Sequence, residues 1–356
     1  MKILLVGPFP VPIHGMSLAN SFFYECAKND SLNIIKHDTI FSRKLKSKNE
    51  QGRFNLKFFC FSIINMFALI YKLLTKNIDI VYITPGQSIL GFLRFLPVVF
   101  LAKILRKTVV QHIHGSRLID NILRNNIFFR FLSKINIKLT DRFIVLSKSI
   151  FDMYSVYIPK CKMVVCLNGV EVQNKKKIKC KTNINVLFLS NLMKDKGILD
   201  LFDVIEKYPQ KNINFNFAGA IEPELKTVCD EFFVKNKKNC TYHGIVFGKD
   251  KDCLFKSADV FLLPSYDEGI PLSILEAYSY SCAVITTKVG GIPDIFNENE
   301  NGIFVKVNDP LSINQALTNI RDKLNFYQES NYKCFIENYT IDHFYKNIKN
   351  VLFKVL

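Results

Sequence analysis

Short runs of Val, Ile and Leu alternate with longer helical stretches along this chain, and the alternation starts twice. KILLVG (2–7), DIVYI (79–83), KTVVQHIH (107–114), RFIVLS (142–147) and KMVVCLN (162–168) read as strands. Their near-continuous apolar content suits parallel strands covered by helices on both faces. Helices are expected between them at 16–28, 54–76, 88–105, 119–139 and 148–157. A polar, lysine-rich stretch, EVQNKKKIKCKTN (171–183), then breaks the pattern. Afterwards INVLFLS (184–190), INFNFAG (213–219), CTYHG (240–244), DVFLLP (259–264) and CAVITT (282–287) read as strands, with helices near 197–207, 222–236, 249–257, 271–280 and 311–324. The expected fold class is α/β, with two successive Rossmann-like βαβ domains at 1–170 and 184–340, joined by a linker at 171–183. A last helix, 341–356, could cross back onto the first domain. Ligands of such sheets bind at the carboxyl ends of the strands, and in two domains those ends can face each other across a cleft.

The rest of the composition narrows the class. At 356 residues, 49% of them hydrophobic, the chain can fill two cores. The ten cysteines form no CxxC pair and there is no His-rich cluster, which argues for reduced thiols and against a zinc site. MKILLVGPFP is too short an apolar run for a signal peptide and reads as a first buried strand.

Charge is placed unevenly. Half of the 48 Lys and Arg residues, but only eight of the 31 acids, lie in residues 1–170. The first half is therefore expected to meet an anionic partner: a membrane surface, a nucleic acid or a phosphorylated acceptor. Residues 54–74 approach the length of a bilayer span, but Lys57, Asn65 and Lys72 interrupt them, and Arg94, Pro97 and Lys103 interrupt 89–107. Both stretches read as buried or surface-lying helices. Phe mixed with Lys and Arg on one helix also suits the membrane interface.

Several strand ends carry chemistry. GPFPVPIHGMSLAN (7–20) forms a glycine- and proline-rich loop opening a helix near Met16, whose backbone N–H groups could hold a phosphate or sugar oxygen. It is not GxGxxG, so the dinucleotide fingerprint is absent. QHIHGS places His112 and His114 on one face, with His114 at the strand tip and Gly115 permitting a close approach. Asn168-Gly169 reads as a sharp turn. In SNLMKDKGILDLF, Lys194 and Lys196 precede a helix start, where ammonium and dipole together suit phosphates. Gly290-Gly291 permits close backbone approach to a ligand. DKD (250–252) has the form of a metal-binding DxD, but it sits at a helix start, where acids complement the dipole.

YDEGIPLSILEAYS (266–279) is the most informative stretch. Pro271 suits the first position of a helix, where its missing N–H costs nothing. Glu268 then lies in the loop at the helix mouth and Glu276 inside the helix, among Leu272, Ile274, Leu275 and Ala277. A carboxylate there needs hydrogen-bond partners, and ribose hydroxyls suit it because a carboxylate accepts two bonds side by side. The free N–H groups of the helix start could receive a pyrophosphate, leaving Glu268 to reach hydroxyls of whatever is attached beyond it.

The segment HGIVFGKDKDCLFKSADVFLLPSYDEGIPLSILEAYSYSCAVITTKVGGIPDIF resembles the signature of glycosyltransferase family four, the retaining GT-B group. E-G-x-P-x-x-x-L-E is matched by Glu268, Gly269, Pro271, Leu275 and Glu276, and FLSNLMKDKG, LNGV, the strand-tip HG and the first glycine loop follow the expected order. The resemblance implies a nucleotide-sugar donor, UDP- or GDP-linked, held mainly by the second domain. Glu276 would bind the ribose, Glu268 the donor sugar and Lys196 the diphosphate, with Gly269, Ile270, Pro271 and Leu272 at the helix mouth. His114 and the Gly15 loop would face the acceptor and the reacting sugar. The family usually needs no metal, and no further cofactor is implied. At Asn191, where many members carry a phosphate-binding Arg, this chain departs, leaving Lys194 or a lysine elsewhere to supply that charge. The basic, Phe-rich first half resembles members that glycosylate lipid-linked intermediates at the inner membrane face. The expected partners are therefore a lipid-linked saccharide and an anionic membrane surface, and no nucleic acid.

Two other classes stay open at this stage. A sugar-nucleotide epimerase of similar fold would carry extra carboxylates in the first domain, which has few. A basic nucleic-acid-binding protein would carry cations interleaved with aromatics on one face, and no such motif is seen.

Overall fold

The computed structural model describes residues 1–11, 15–40, 56–173, 183–208 and 212–355, with backbone alone at 56–61. Most of the lysine-rich stretch 171–183, and Pro12, Ile13 and His14 of the first glycine loop, lie outside these residues. The chain forms two compact units, Met1–Asn168 with Asp342–Leu356, and Gly169–Ile341.

The first unit runs β1 (Lys2–Gly7), α1 (Gly15–Asn29), β2 (Asn33–Asp38), α2 (Leu56–Thr75), β3 (Ile80–Ile83), α3 (Ile89–Leu93), α4 (Leu96–Ile104), β4 (Thr108–Ile113), α5 (Leu118–Leu123), α6 (Ile127–Leu139), β5 (Arg142–Val145), α7 (Lys148–Tyr154) and β6 (Met163–Val165). Its strands form one parallel sheet in the order β2-β1-β3-β4-β5-β6. Alternation along β1 sorts a continuous apolar run onto two faces. Ile3 and Leu5 join Phe23 of α1 in one core, while Leu4 and Val6 join Leu69 and Leu73 of α2 and Val98, Val99 and Ala102 of α4 in the other. The final helix, which follows the second unit in sequence, completes the first of these cores with Phe344, Ile348 and Leu352.

The second unit runs β7 (Ile184–Leu189), α8 (Ile198–Lys207), β8 (Ile213–Ala218), α9 (Lys226–Lys235), β9 (Cys240–Tyr242), α10 (Gly248–Ser257), β10 (Val260–Leu263), α11 (Leu272–Ser279), β11 (Ala283–Thr287), β12 (Gly302–Val305), α12 (Pro310–Asn319) and α13 (Leu324–Asn338), before α14 (Ile341–Lys354) returns to the first unit. Its sheet is also parallel, in the order β12-β11-β10-β7-β8-β9.

The strands expected from apolar runs are all present, several of them shorter than the runs themselves. Two strands, β2 and β12, have no such run. Both are sheet edges, where one flank meets no neighbouring strand and NIIKHD and GIFV suffice. The helix expected at 88–105 is two helices, with Pro97 at the start of α4 setting the second. The helix expected at 119–139 is also two, because Asn126 accepts from the Phe129 amide and caps a fresh start.

The helix α13 was not expected, and its inward face explains why. It buries Gln328 and Asn331 rather than an apolar stripe alone. The Asn331 side chain donates to the carbonyls of Cys282 (2.7 Å) and Asn301 (2.9 Å) and accepts from the Asn301 side chain (2.7 Å). Asn331→Ala is expected to lower unfolding stability by about 2–4 kcal/mol, since it leaves several buried groups unsatisfied. Urea denaturation checks this, and a loss below ~0.5 kcal/mol would show that water replaces the amide.

Candidate active site

The second sheet has a topological reversal. From β7 the chain adds β8 and β9 on one side, then crosses to place β10, β11 and β12 on the other. Crevices open outside the carboxyl ends of the strands at such a point. The segments that leave there are 190–197 after β7 and 264–271 after β10, the two that the sequence marked with lysines and with Glu268.

The structure ties these segments together by backbone. Residues 194–196 form a 3-10 turn that ends at Gly197, with φ 71°. A Cβ at Gly197 would stand 2.1 Å from the Pro264 carbonyl oxygen, so a side chain there would push the two segments apart. The Tyr266 amide donates to the Asp195 carbonyl (2.9 Å), and the Tyr266 hydroxyl donates to the Asp200 carboxylate of α8 (2.9 Å). Burial, then the hydrogen bond to Asp200, pushes the Tyr266 hydroxyl up to about 12, so it stays a donor at neutral pH.

Two carboxylate–ammonium pairs result. Lys196 Nζ lies 2.6 Å from Glu268, whose side chain is 11% exposed and also accepts from the Ser265 hydroxyl (2.9 Å). Glu276, on α11 and 16% exposed, accepts from Lys251 Nζ at 2.8 Å. Burial pushes the Glu276 carboxyl above its ordinary range, and Lys251 opposes that rise. Both glutamates are largely sheltered, and each is paired with a lysine.

The remaining expected residues fall as follows. Gly269 is half-buried, and Ile270, Pro271 and Leu272 are buried at the start of α11, which has no side-chain cap. Lys194 and Asn191 are exposed. The close approach at Gly290 (φ 54°) is made by protein: a Cβ there would stand 1.7 Å from the Glu268 carbonyl oxygen. That contact seats the Glu268 loop.

Gly15 and His114 belong to the first unit. Gly15 is the first residue of α1 and is exposed. His114 follows β4 directly, and its ring lies 4.0 Å from that of His112, so the two share one face. His112 is buried, shares a 2.6 Å hydrogen bond with the Tyr82 hydroxyl, and is held well below its ordinary pKa by burial and then by His114. The space over Gly115 is filled by Gln87, whose amide donates to the His114 carbonyl (2.9 Å). The approach expected at Gly115 is thus made by a side chain of the protein.

Lys251 and Ser265 were missed in the sequence. Lys251 is the middle residue of DKD, 25 positions before its partner, and no local pattern links them. Of its neighbours, Asp250 lies in the first turn of α10 and Asp252 accepts from the Tyr280 hydroxyl (2.7 Å). Among the described residues, no group of three or more His, Cys, Asp or Glu side chains could hold a metal ion.

Residues 170–339 match the family Glycosyl transferases group 1. An uncharacterized 41.2 kDa protein in the cps region of Klebsiella pneumoniae is 25% identical over 291 residues, 77% of each chain. A putative colanic acid biosynthesis glycosyltransferase of Escherichia coli, WcaL, is 24% identical over 45% of this chain and 42% of its own. Among solved structures, Anabaena HepE in complex with UDP superposes with a TM-score of 0.74 over 99% of this chain and 100% of that one, at 12% identity. The protein is a glycosyltransferase with the GT-B fold. The match to the group 1 glycosyl transferases lies in its second unit.

Proposed function

We propose that the protein transfers a sugar from a nucleoside-diphosphate sugar to a lipid-linked saccharide in surface-polysaccharide biosynthesis, with retention of anomeric configuration as in family four. The observation that carries this reading is the pair of lysine-held glutamates, Glu268 and Glu276, at the loop and helix that follow β10. The likeness to WcaL supports a polysaccharide product, and the UDP held by HepE supports a uridine or related nucleotide donor.

In this reading Glu276 accepts two ribose hydroxyls and Glu268 accepts hydroxyls of the donor sugar. Lys196, aided by Lys194 and the N-termini of α8 and α11, meets the diphosphate. An acceptor hydroxyl attacks the anomeric carbon on the face from which the diphosphate leaves. The anomeric C–O bond breaks, and the hydroxyl proton passes to the departing phosphate oxygen. The products are the glycoside and the nucleoside diphosphate. Lys196 stabilises negative charge that grows as the bond breaks, where a fixed cation is most effective. No cofactor is required by this chemistry. Gly15 and His114 are assigned to the acceptor side, and the enzyme works at the inner face of the cell membrane.

A thermal-shift panel of UDP- and GDP-sugars tests the donor. The correct one, at about 100 times its dissociation constant, stabilises by roughly 2.7 kcal/mol. Glu276→Ala is expected to abolish that shift. An unchanged shift in the variant would remove the ribose assignment.

A further inference from the structure

On three helices of the first unit, large apolar side chains point away from the core. In α2, Leu69 and Leu73 are buried against the sheet, while Ile64, Phe67 and Tyr71 recur at helical spacing on the exposed side, Phe67 at 68% exposure. In α4, Val98, Val99 and Ala102 are buried, and Phe100 (56% exposed) and Ile104 face outward. In α6, Ile137 is buried, and Phe128 and Phe131 (60% exposed) face outward. The helix α4 packs against both α2 and α6, so the outward stripes belong to one helical layer. Scattered exposed apolar residues are ordinary, but outward apolar side chains on three adjoining helices, with at least one aromatic on each, are a patch.

The charge around this patch is mostly positive; one acid near it, Asp141 just past α6, is paired with Lys103 of α4 at 2.8 Å. The segments of α2, α4 and α6 contain no Asp or Glu. Exposed Lys134 and Lys138 extend the α6 stripe, and Lys76 and Arg106 lie just past the ends of α2 and α4. Aromatic rings flanked by cations match a bilayer interface, where rings enter the acyl boundary and ammonium groups meet phosphates. No helix among the described residues is long and apolar enough to cross a membrane, so this face would lie on the surface.

We infer that the outer face of the α2–α4–α6 layer docks on an anionic lipid bilayer. The inference rests on the membrane part of the function proposed above and is independent of the donor assignments. Sedimentation with vesicles of equal parts phosphatidylglycerol and phosphatidylcholine tests it, without any nucleotide sugar. The wild-type chain is expected to bind these vesicles at least tenfold more tightly than pure phosphatidylcholine vesicles. The triple variant Phe67→Ser/Phe100→Ser/Phe131→Ser should lose at least tenfold in binding while keeping its unfolding temperature. Val234→Ser, at an exposed position of the second unit, should bind as the wild type does. Should the triple variant fail to fold, Lys134→Glu/Lys138→Glu supplies the same tenfold loss through charge alone. Equal binding by a folded variant and the wild type overturns the proposal. So does wild-type indifference to lipid charge, or a concentration-dependent dimer that the variants dissociate. Absent vesicle binding with an intact nucleotide-sugar shift would sink the docking face and leave the transferase reading standing.

Discussion

Lys196→Met is expected to lower kcat/KM for sugar transfer by about 10²–10³, as removal of one fixed charge-stabilising group does elsewhere. Lys196 reaches the site because Gly197 turns the chain against Pro264, and it is held there by Glu268 at 2.6 Å. In the variant, Glu268 loses its counter-ion and presents an unpaired negative charge near a diphosphate. Part of the loss would therefore come from repulsion. The double variant Lys196→Met/Glu268→Gln, compared with Glu268→Gln alone, separates the two effects, because neither carries the unpaired carboxylate and they differ only in the cation. If Lys196 meets the leaving diphosphate, the double variant stays at least tenfold below Glu268→Gln in kcat. Steady-state kinetics within about threefold of the wild type for Lys196→Met would remove Lys196 from the chemistry.

The second large effect concerns Lys251 and is read through pH. Glu276 is raised by burial, and Lys251 is the largest influence that lowers it again. Asp252 and Glu171 act in the opposite direction. Without Lys251 the carboxyl rises further, so a smaller fraction is ionised at neutral pH. Hydrogen bonds to a charged acceptor are stronger than those to a neutral one, so donor affinity at neutral pH should fall in Lys251→Met, by roughly tenfold for each ribose bond weakened by about 1.4 kcal/mol. The sign is definite: affinity should return as pH rises through the new, higher pKa. Lys251→Arg should restore the wild-type profile. Calorimetric titration of the donor across pH checks this, and a pH-independent loss would make Lys251 a packing residue only. The folding sign follows the same shift. A carboxyl raised in the folded state favours folding fully below its ordinary pKa of about 4.5, and that gain disappears as pH rises through the folded value.

Much of the candidate site's local geometry was legible because its residues are local in sequence. Glu268, Gly269, Pro271 and Glu276 fall in one strand–loop–helix segment, where the strand end, the helix start and the helical period fix their mutual placement. Their lysine partners divide differently. Lys196 could be suspected from its own strand–loop–helix setting. Lys251 could not, since it meets Glu276 only because α10 lies beside α11. The glycines were read for close backbone approach, with a ligand expected only over Gly290-Gly291. Gly115 and Gly290 do permit close approach, but Gln87 and the Glu268 carbonyl fill the space.

The sequence by itself determined two parallel α/β sheets, because continuous apolar runs separated by helical periods admit few other packings. It also determined which segment carries the glutamates. Tertiary structure alone decided which lysine meets which glutamate, where the polar face of α13 finds its partners, and that adjoining α2, α4 and α6 each leave large apolar side chains exposed. The physical reason is common to all three. Local periodicity fixes which way a side chain points from its own element, but the partner it meets depends on which distant elements the core brings alongside.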